Sequence, residues 1–316
     1  MTFTTEQQRI ALAVSITCLL AWLGAYLAII VYRDYVFGLF VWLPTVMGIT
    51  STVVLGYKNP VSFDKLRKTT FISLLIFCVG LLLFAFEGII CVVMAAPIAF
   101  LFNWIGYRLG KIILTKGIFG SPPLMNLLFI ASVPLMMAFE NTFAADTVQR
   151  NVVTTVDIAA SPEVVWQNVV AFPQLDDPNE FIFKFGIAYP INATIRGEGV
   201  GAIRHCNFST GSFVEPITHW EKPNLLAFDV VDQPEPMKEL SFYDLHPNHL
   251  HGYWVSQKGQ FKLTQLENGH TRLEGTTWYV NRIKPDMYWT LWSDFIVHKI
   301  HERVLNHIKK VSEKEY

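Results

Sequence analysis

Long apolar runs fill the first 145 residues, and a mixed polar pattern follows. Ile10–Tyr32 and Tyr35–Tyr57 are each 23 residues without a charged side chain, long enough to cross a hydrocarbon core of about 30 Å. Thr69–Tyr107 holds one charge, Glu87. As a single helix it would run roughly 58 Å at 1.5 Å per residue, too long for one crossing. Breaking it at Phe86-Glu87-Gly88 predicts spans over 70–86 and 88–107, with the carboxylate at an interface, since a charge at mid-bilayer costs at least a few kcal/mol. A fifth candidate, Pro122–Phe139, is shorter and is interrupted by Pro122, Pro123 and Pro134. Arg9 precedes the first run and no small-residue cleavage pattern follows it, so the run predicts a retained span, not a signal peptide.

Beyond residue 145 the periodicity changes. Val152–Ala160 alternates and is β-branched, which predicts a strand. Ser161-Pro162-Glu163 then has the N-cap, N1 and first-turn residues of a helix ending near Phe172-Pro173. A polar loop, Gln174–Glu180, follows. From Ile195 a series of strands is expected: Gly201–Phe208, Ser212–Trp220 with Pro216 marking an edge or a bulge, and Leu225–Val231. After an irregular, proline-containing stretch, Asp232–Asn248, come Leu250–Leu266 and Thr271–Val280, a hairpin about Glu267-Asn268-Gly269. A long helix runs from Pro285 to about Val311, with Trp289, Trp292, Ile296, Ile300 and Val304 on one side at 100° per residue. The order predicts an all-α transmembrane bundle over 1–145 followed by an α+β domain over 146–316.

Charge orients the spans. Residues 1–145 carry nine Lys/Arg against five Asp/Glu, and residues 146–316 sixteen against twenty-one. Neither half has the basic face of a nucleic-acid binder. Lys58, Lys65, Arg67 and Lys68 mark one loop and Arg108, Lys111 and Lys116 another, while the opposite ends offer only Arg33. The positive-inside rule puts both basic loops and the N-terminus in the cytoplasm. Five spans would then put the C-terminal domain outside, and four would leave it in the cytoplasm.

Val153-Thr154-Thr155-Val156-Asp157-Ile158-Ala159-Ala160-Ser161-Pro162-Glu163-Val164-Val165-Trp166 resembles the opening of the SRPBCC superfamily, the START-like, polyketide cyclase/dehydrase-like group with the helix-grip fold. The resemblance covers about residues 150–312. It implies a curved antiparallel sheet wrapped on the C-terminal helix, around a hydrophobic pocket for a lipid or polycyclic ligand.

Several polar groups are candidates for chemistry. Arg204 and Cys206 share one strand face and His205 takes the other; a small core thiol accounts for Cys206 better than a nucleophile does. Arg272, Glu274, Thr276 and Trp278 alternate on one face of the last strand, as Glu215 and His219 do on an earlier one. A buried Arg or Glu must be paired, which points to Arg204 or Arg272 with Glu215 or Glu274. Arg204, Arg272, Trp278, Trp289, Trp292 and Ile296 are the candidate ligand contacts. Asp294, His298 and His301 form a helical stripe expected to be solvated. His246, His249 and His251 could in principle ligate zinc, but no Cys, Asp or Glu completes a familiar spacing, so no metal is expected. Glu87, Cys91 and Met94 share helical spacing that a soft metal could use; a hairpin turn beside packed small side chains accounts for it. No cofactor is implied. The leading expectation is a membrane-anchored protein that binds or transfers a hydrophobic small molecule or lipid. The alternatives are a membrane-bound cyclase, dehydrase or hydrolase, with its acid/base drawn from Glu215, Glu274, His205 or His219, and a regulatory or assembly module whose protein partner is unknown.

Overall fold

A computed structural model describes residues 5–32, 35–58, 61–117, 131–132, 135–136, 139, 148–243 and 248–314. The chain divides into two compact units. A helical unit comprises residues 1–146 together with Glu239–His249 and Ile283–Tyr288, and a sheet unit comprises Thr147–Lys238, Leu250–Arg282 and Trp289–Tyr316.

In the helical unit, α1 (Glu6–Tyr26) continues as a π-helical stretch, Leu27–Tyr32. A second π-helical turn, Gly38–Trp42, leads into α2 (Leu43–Gly56), followed by α3 (Phe63–Leu83) and α4 (Ile89–Lys116). Four helices, Glu6–Tyr32, Gly38–Gly56, Phe63–Leu83 and Ile89–Lys116, are long and apolar enough to cross a membrane. Three of them, α1, α3 and α4, begin or end further out than the apolar runs suggest. Ser62 caps α3 by accepting from the Lys65 N–H at 3.4 Å, and Asp64 pairs with Arg67 and Lys68 within the first turns. Helix therefore continues through the basic residues, whose charges are satisfied beyond the apolar stretch. The expected fifth span, Pro122–Phe139, lies almost wholly outside the described residues. Of its described part, Ser132 accepts a hydrogen bond from Trp42 Nε1 at 2.7 Å.

The sheet unit contains β1 (Arg150–Ile158), α5 (Pro162–Val170), α6 (Phe181–Lys184), β2 (Pro190–Arg196), β3 (Ile203–Phe208), β4 (Gly211–Glu221), β5 (Leu225–Asp229), β6 (Trp254–Gln265), β7 (Thr271–Asn281) and α7 (Asp286–Ser312). The seven strands form one antiparallel sheet in the order β1-β7-β6-β5-β4-β3-β2. The sheet is curled into a half-barrel against α7, the helix-grip arrangement. β2 and α6 went unread in the sequence because both fall in short, mixed stretches without clear alternation. Pro216 is accommodated beside a register shift between Ile217 and His219. The core gathers Val165, Trp166 and Val169 of α5, Val304, Leu305 and Ile308 of α7, and Ile158, Ile217, Leu226, Leu263 and Leu273 of the sheet.

The buried face of α7 differs from the expected one. Trp289 and Val304 are buried as expected, together with Thr290, Val297, His301, Leu305 and Ile308, whereas Trp292, Ile296 and Ile300 are only half-buried. Of the stripe expected to be solvated, His301 is buried, while Asp294 and His298 stay partly exposed and still reach strand residues. Thr154 Oγ1 lies 2.8 Å from His298 Nδ1 and 3.1 Å from His301 Nδ1, Thr277 Oγ1 lies 2.7 Å from His301 Nε2, and the Tyr279 hydroxyl donates to Asp294 at 2.5 Å. Hydropathy misplaces this face because polar strand residues supply partners for polar helix residues.

Burial holds the His301 pKa down at about 4, from an ordinary 6.5. A histidine neutral in the fold and free to ionise when unfolded stabilises fully above pH 6.5 and loses that contribution as pH falls through 4. The difference amounts to about 3 kcal/mol. Denaturation of wild type and His301→Gln between pH 7 and 4 should therefore give a smaller loss of stability for the variant; equal slopes would contradict this origin.

Candidate functional site

The concave face of the sheet carries one buried ion pair. β3 and β4 place Arg204 directly opposite Glu215, and the Arg204 Nη1 donates to Glu215 Oε2. Both side chains are almost fully buried. Arg204 Nε donates to the Val170 carbonyl at 3.2 Å. The guanidinium carbon lies 5.5 Å from the ring centres of Phe172, Phe228 and Phe261, an arrangement in which ring faces attract a cation. Gly259 makes room for one of these rings, since a Cβ there would stand 2.6 Å from Phe228. Arg204 Nη2 has no hydrogen-bond partner among the described residues. Burial pushes the Glu215 carboxyl above its ordinary range against the pull of Arg204, and pushes the neighbouring Cys206 thiol up to about 12. Cys206 is thus a protonated core thiol, poorly suited to nucleophilic attack.

Most other candidate residues do not meet this pair. Gly275 faces α7, a Cβ there lying 3.5 Å from Leu305 Cδ2, so Arg272, Glu274 and Trp278 take the convex face. There Arg272 forms a two-pronged pair with Asp157 at 2.8 and 2.9 Å, and Lys258 lies over the Trp278 ring. His205 alternates with Arg204 and faces outward, and His219 is exposed beside Glu221. Trp289 is buried on α7, while Trp292 and Ile296 are half-buried. The structure brings Arg204 and Glu215 together and leaves Glu274, His205 and His219 off the concave face.

A second cluster lies in the helical unit. Glu87 sits in the turn between α3 and α4, Cys91 in the first turn of α4, and Glu239 and His249 in the returning segment Glu239–His249. The Cys91 thiol donates to Glu239 Oε1 at 2.5 Å, and its sulfur lies 3.0 Å from His249 Nε2. His249 Nδ1 lies 3.6 Å from Glu87 Oε2, and His249 Nε2 lies 3.9 Å from Glu239 Oε1. The Tyr35 hydroxyl donates to Glu87 Oε1 at 2.7 Å. Burial raises the Glu87 pKa to about 8, with the Glu239 charge adding to the shift, and burial raises Glu239 as well. One potential ligand atom from each of the four residues lies within 4.8 Å of the others. Of the three histidines considered for zinc, His249 joins this group, His251 is exposed beside Glu235, and His246 lies outside the described residues. The helical spacing of Glu87 and Cys91 was the available signal. The other half stands about 150 residues further along, where spacing carries no information.

No family model matches the chain, and no curated protein does. Solved structures similar to it include truncated norcoclaurine synthase from Thalictrum flavum (14% identity, TM-score 0.34, covering 53% of this chain and 95% of that one). The aromatase/cyclase Zhui from Streptomyces sp. R1128 is similar at 16% identity and a TM-score of 0.32, covering 53% and 96%. XoxI from Bacillus cereus is similar at 14% and 0.34, covering 52% and 98%. These neighbours are Bet v1/SRPBCC-like folds matched by the C-terminal half.

Proposed function

We propose that the protein is anchored in a membrane by its apolar helices and binds a hydrophobic small molecule or lipid within the sheet unit, where a polar group of the ligand meets Arg204. The observation that carries this reading is a buried guanidinium with one nitrogen, Nη2, lacking a hydrogen-bond partner among the described residues. An unmade bond at a buried donor costs about 1–3 kcal/mol, and more for a charged group. A ligand oxygen at Nη2 would remove that cost, and Phe172, Phe228 and Phe261 would pack the apolar remainder. A ligand that partitions into the bilayer gives the apolar helices their use.

The helical unit also supports an assignment of sides. The basic residues of α3 and α4 gather at one end of the bundle, which the positive-inside rule makes cytoplasmic. The returning segments bond to the other end: Ile89 N–H donates to the Leu240 carbonyl, Lys284 N–H to the Tyr35 carbonyl, and the Tyr243 hydroxyl to the Leu83 carbonyl. Both segments continue directly into the sheet unit, so we read that unit as non-cytoplasmic. That side corresponds to the five-span alternative of the sequence reading, and a hydrogen bond joins Trp42 to Ser132, which lies within the fifth candidate stretch.

The test uses full-length protein in mild detergent. Extraction and mass spectrometry should recover a lipophilic compound at near-stoichiometric amounts. Arg204→Lys keeps a cation beside Glu215 but removes Nη2, and should lower that recovery at least fivefold while the protein stays folded. Undiminished recovery from the variant, or none from folded wild type, would refute the reading. Turnover of the recovered compound, lost in Glu215→Gln with binding intact, would make the protein an enzyme. In sealed inside-out vesicles, added protease should spare the sheet unit; its digestion would reverse the assignment of sides.

A further inference from the structure

We propose that Glu87, Cys91, Glu239 and His249 form a binding site for a divalent transition metal ion of the zinc class. One thiolate, one imidazole and two carboxylates are the donor types zinc takes in four-coordinate sites. At metal–ligand distances of about 2.0–2.3 Å, tetrahedral ligand atoms stand about 3.3–3.6 Å apart. One ligand atom from each residue, with a single ring nitrogen of His249, lies within 4.8 Å of the others, so side-chain shifts of about 1 Å, the largest separating Cys91 Sγ from Glu239 Oε1, would complete the polyhedron.

Two independent features point to a cation at this place. The side chains of Glu87, Glu239 and His249 are 8, 0 and 7% exposed, and the Oε2 atoms of both carboxylates lack a hydrogen-bond partner among the described residues. Buried carboxylates are held by cations or by full hydrogen bonding. Among the described residues, the ion-pair partner of both is His249. A dication would satisfy both oxygens at once. Second, the backbone makes room for this convergence. A Cβ at residue 88 would stand 1.9 Å from Glu239 Oε2, so Gly88 is what lets the carboxylate reach the start of α4. The hydrogen bond from Tyr35 to Glu87 would orient that ligand from outside the coordination sphere.

Four protein ligands leave no open position, which marks a structural site, not a catalytic one. The ion would bind the α3–α4 turn, the first turn of α4 and the segment Glu239–His249 into one piece. Binding replaces the Cys91 thiol proton, which leaves to solvent.

Full-length protein purified without added chelator, then loaded with Zn²⁺ and desalted, should carry about one zinc per chain by elemental mass spectrometry. Cys91→Ser and His249→Gln should each lower occupancy at least tenfold, while Cys78→Ser should retain it. Loading with Co²⁺ should give a thiolate charge-transfer absorption that Cys91→Ser abolishes. Folded wild type holding less than a tenth of an equivalent would overturn the proposal, whatever the variants do. Full occupancy in both Cys91→Ser and His249→Gln would overturn it equally, by assigning the metal elsewhere.

Discussion

Glu215→Ala will destabilise the sheet unit by about 3–5 kcal/mol, the cost of leaving a buried charge without its partner. Arg204 is held by three features at once: the Glu215 carboxylate, the main-chain carbonyl of Val170 and the surrounding rings. Removing the carboxylate leaves only neutral groups about a cation that is almost fully buried. Alanine also opens a void next to Phe213 and Ile217. The double variant Arg204→Met, Glu215→Leu should recover most of the loss, because paired removal of both charges is often neutral or stabilising. Denaturant unfolding of the full chain in detergent, followed through the β signal, reads both. A loss under about 1 kcal/mol in the single variant, the worth of an ordinary exposed pair, would mean the pair is solvated.

The fold was largely legible because its signals are local and repeated. The apolar runs give the helices, and the strand–helix–strands–helix order gives the grip. Alternation limited the buried pair to Arg204 or Arg272 with Glu215 or Glu274, but only register could choose among them. That choice required knowing that odd-numbered residues of β7 face α7. The phase of α7 was misread for a related reason: hydropathy ranks Trp292 and Ile296 above Thr290 and His301, whereas Thr154 and Thr277 make the polar residues the better fit. The Glu87–Cys91–Glu239–His249 cluster was half visible, since Glu87 and Cys91 stand one helical turn apart. Its other half lies in an irregular segment that no periodicity places. The glycines of α4 carried a signal that apolar composition hides.

Gly106→Leu will break the helical unit. Gly106 and Gly110 are four residues apart on α4, the spacing with which small residues let membrane helices approach. A Cβ at 106 would stand 2.1 Å from the Thr45 carbonyl oxygen of α2, and a Cβ at Gly48 would stand 2.3 Å from the Asn103 carbonyl oxygen of α4. Backbone meets backbone on both sides, so no side-chain rotation relieves the collision. The helices must separate along much of their length, which also strains the Asn103 Nδ2 hydrogen bond to the Pro44 carbonyl. Overpacking of a core with flexible neighbours costs about 1–3 kcal/mol, and this substitution should exceed that range. Gly56→Ala provides the contrast. Its added Cβ would meet Leu114 Cδ1 at 2.4 Å, the far end of a side chain that can swing aside, and the cost should stay below about 1 kcal/mol. Titrating mild-detergent micelles with SDS while following helix unfolding should separate the two variants clearly. Equal midpoints would mean that α2 and α4 are not in backbone contact, and the close packing of the bundle would have to be abandoned.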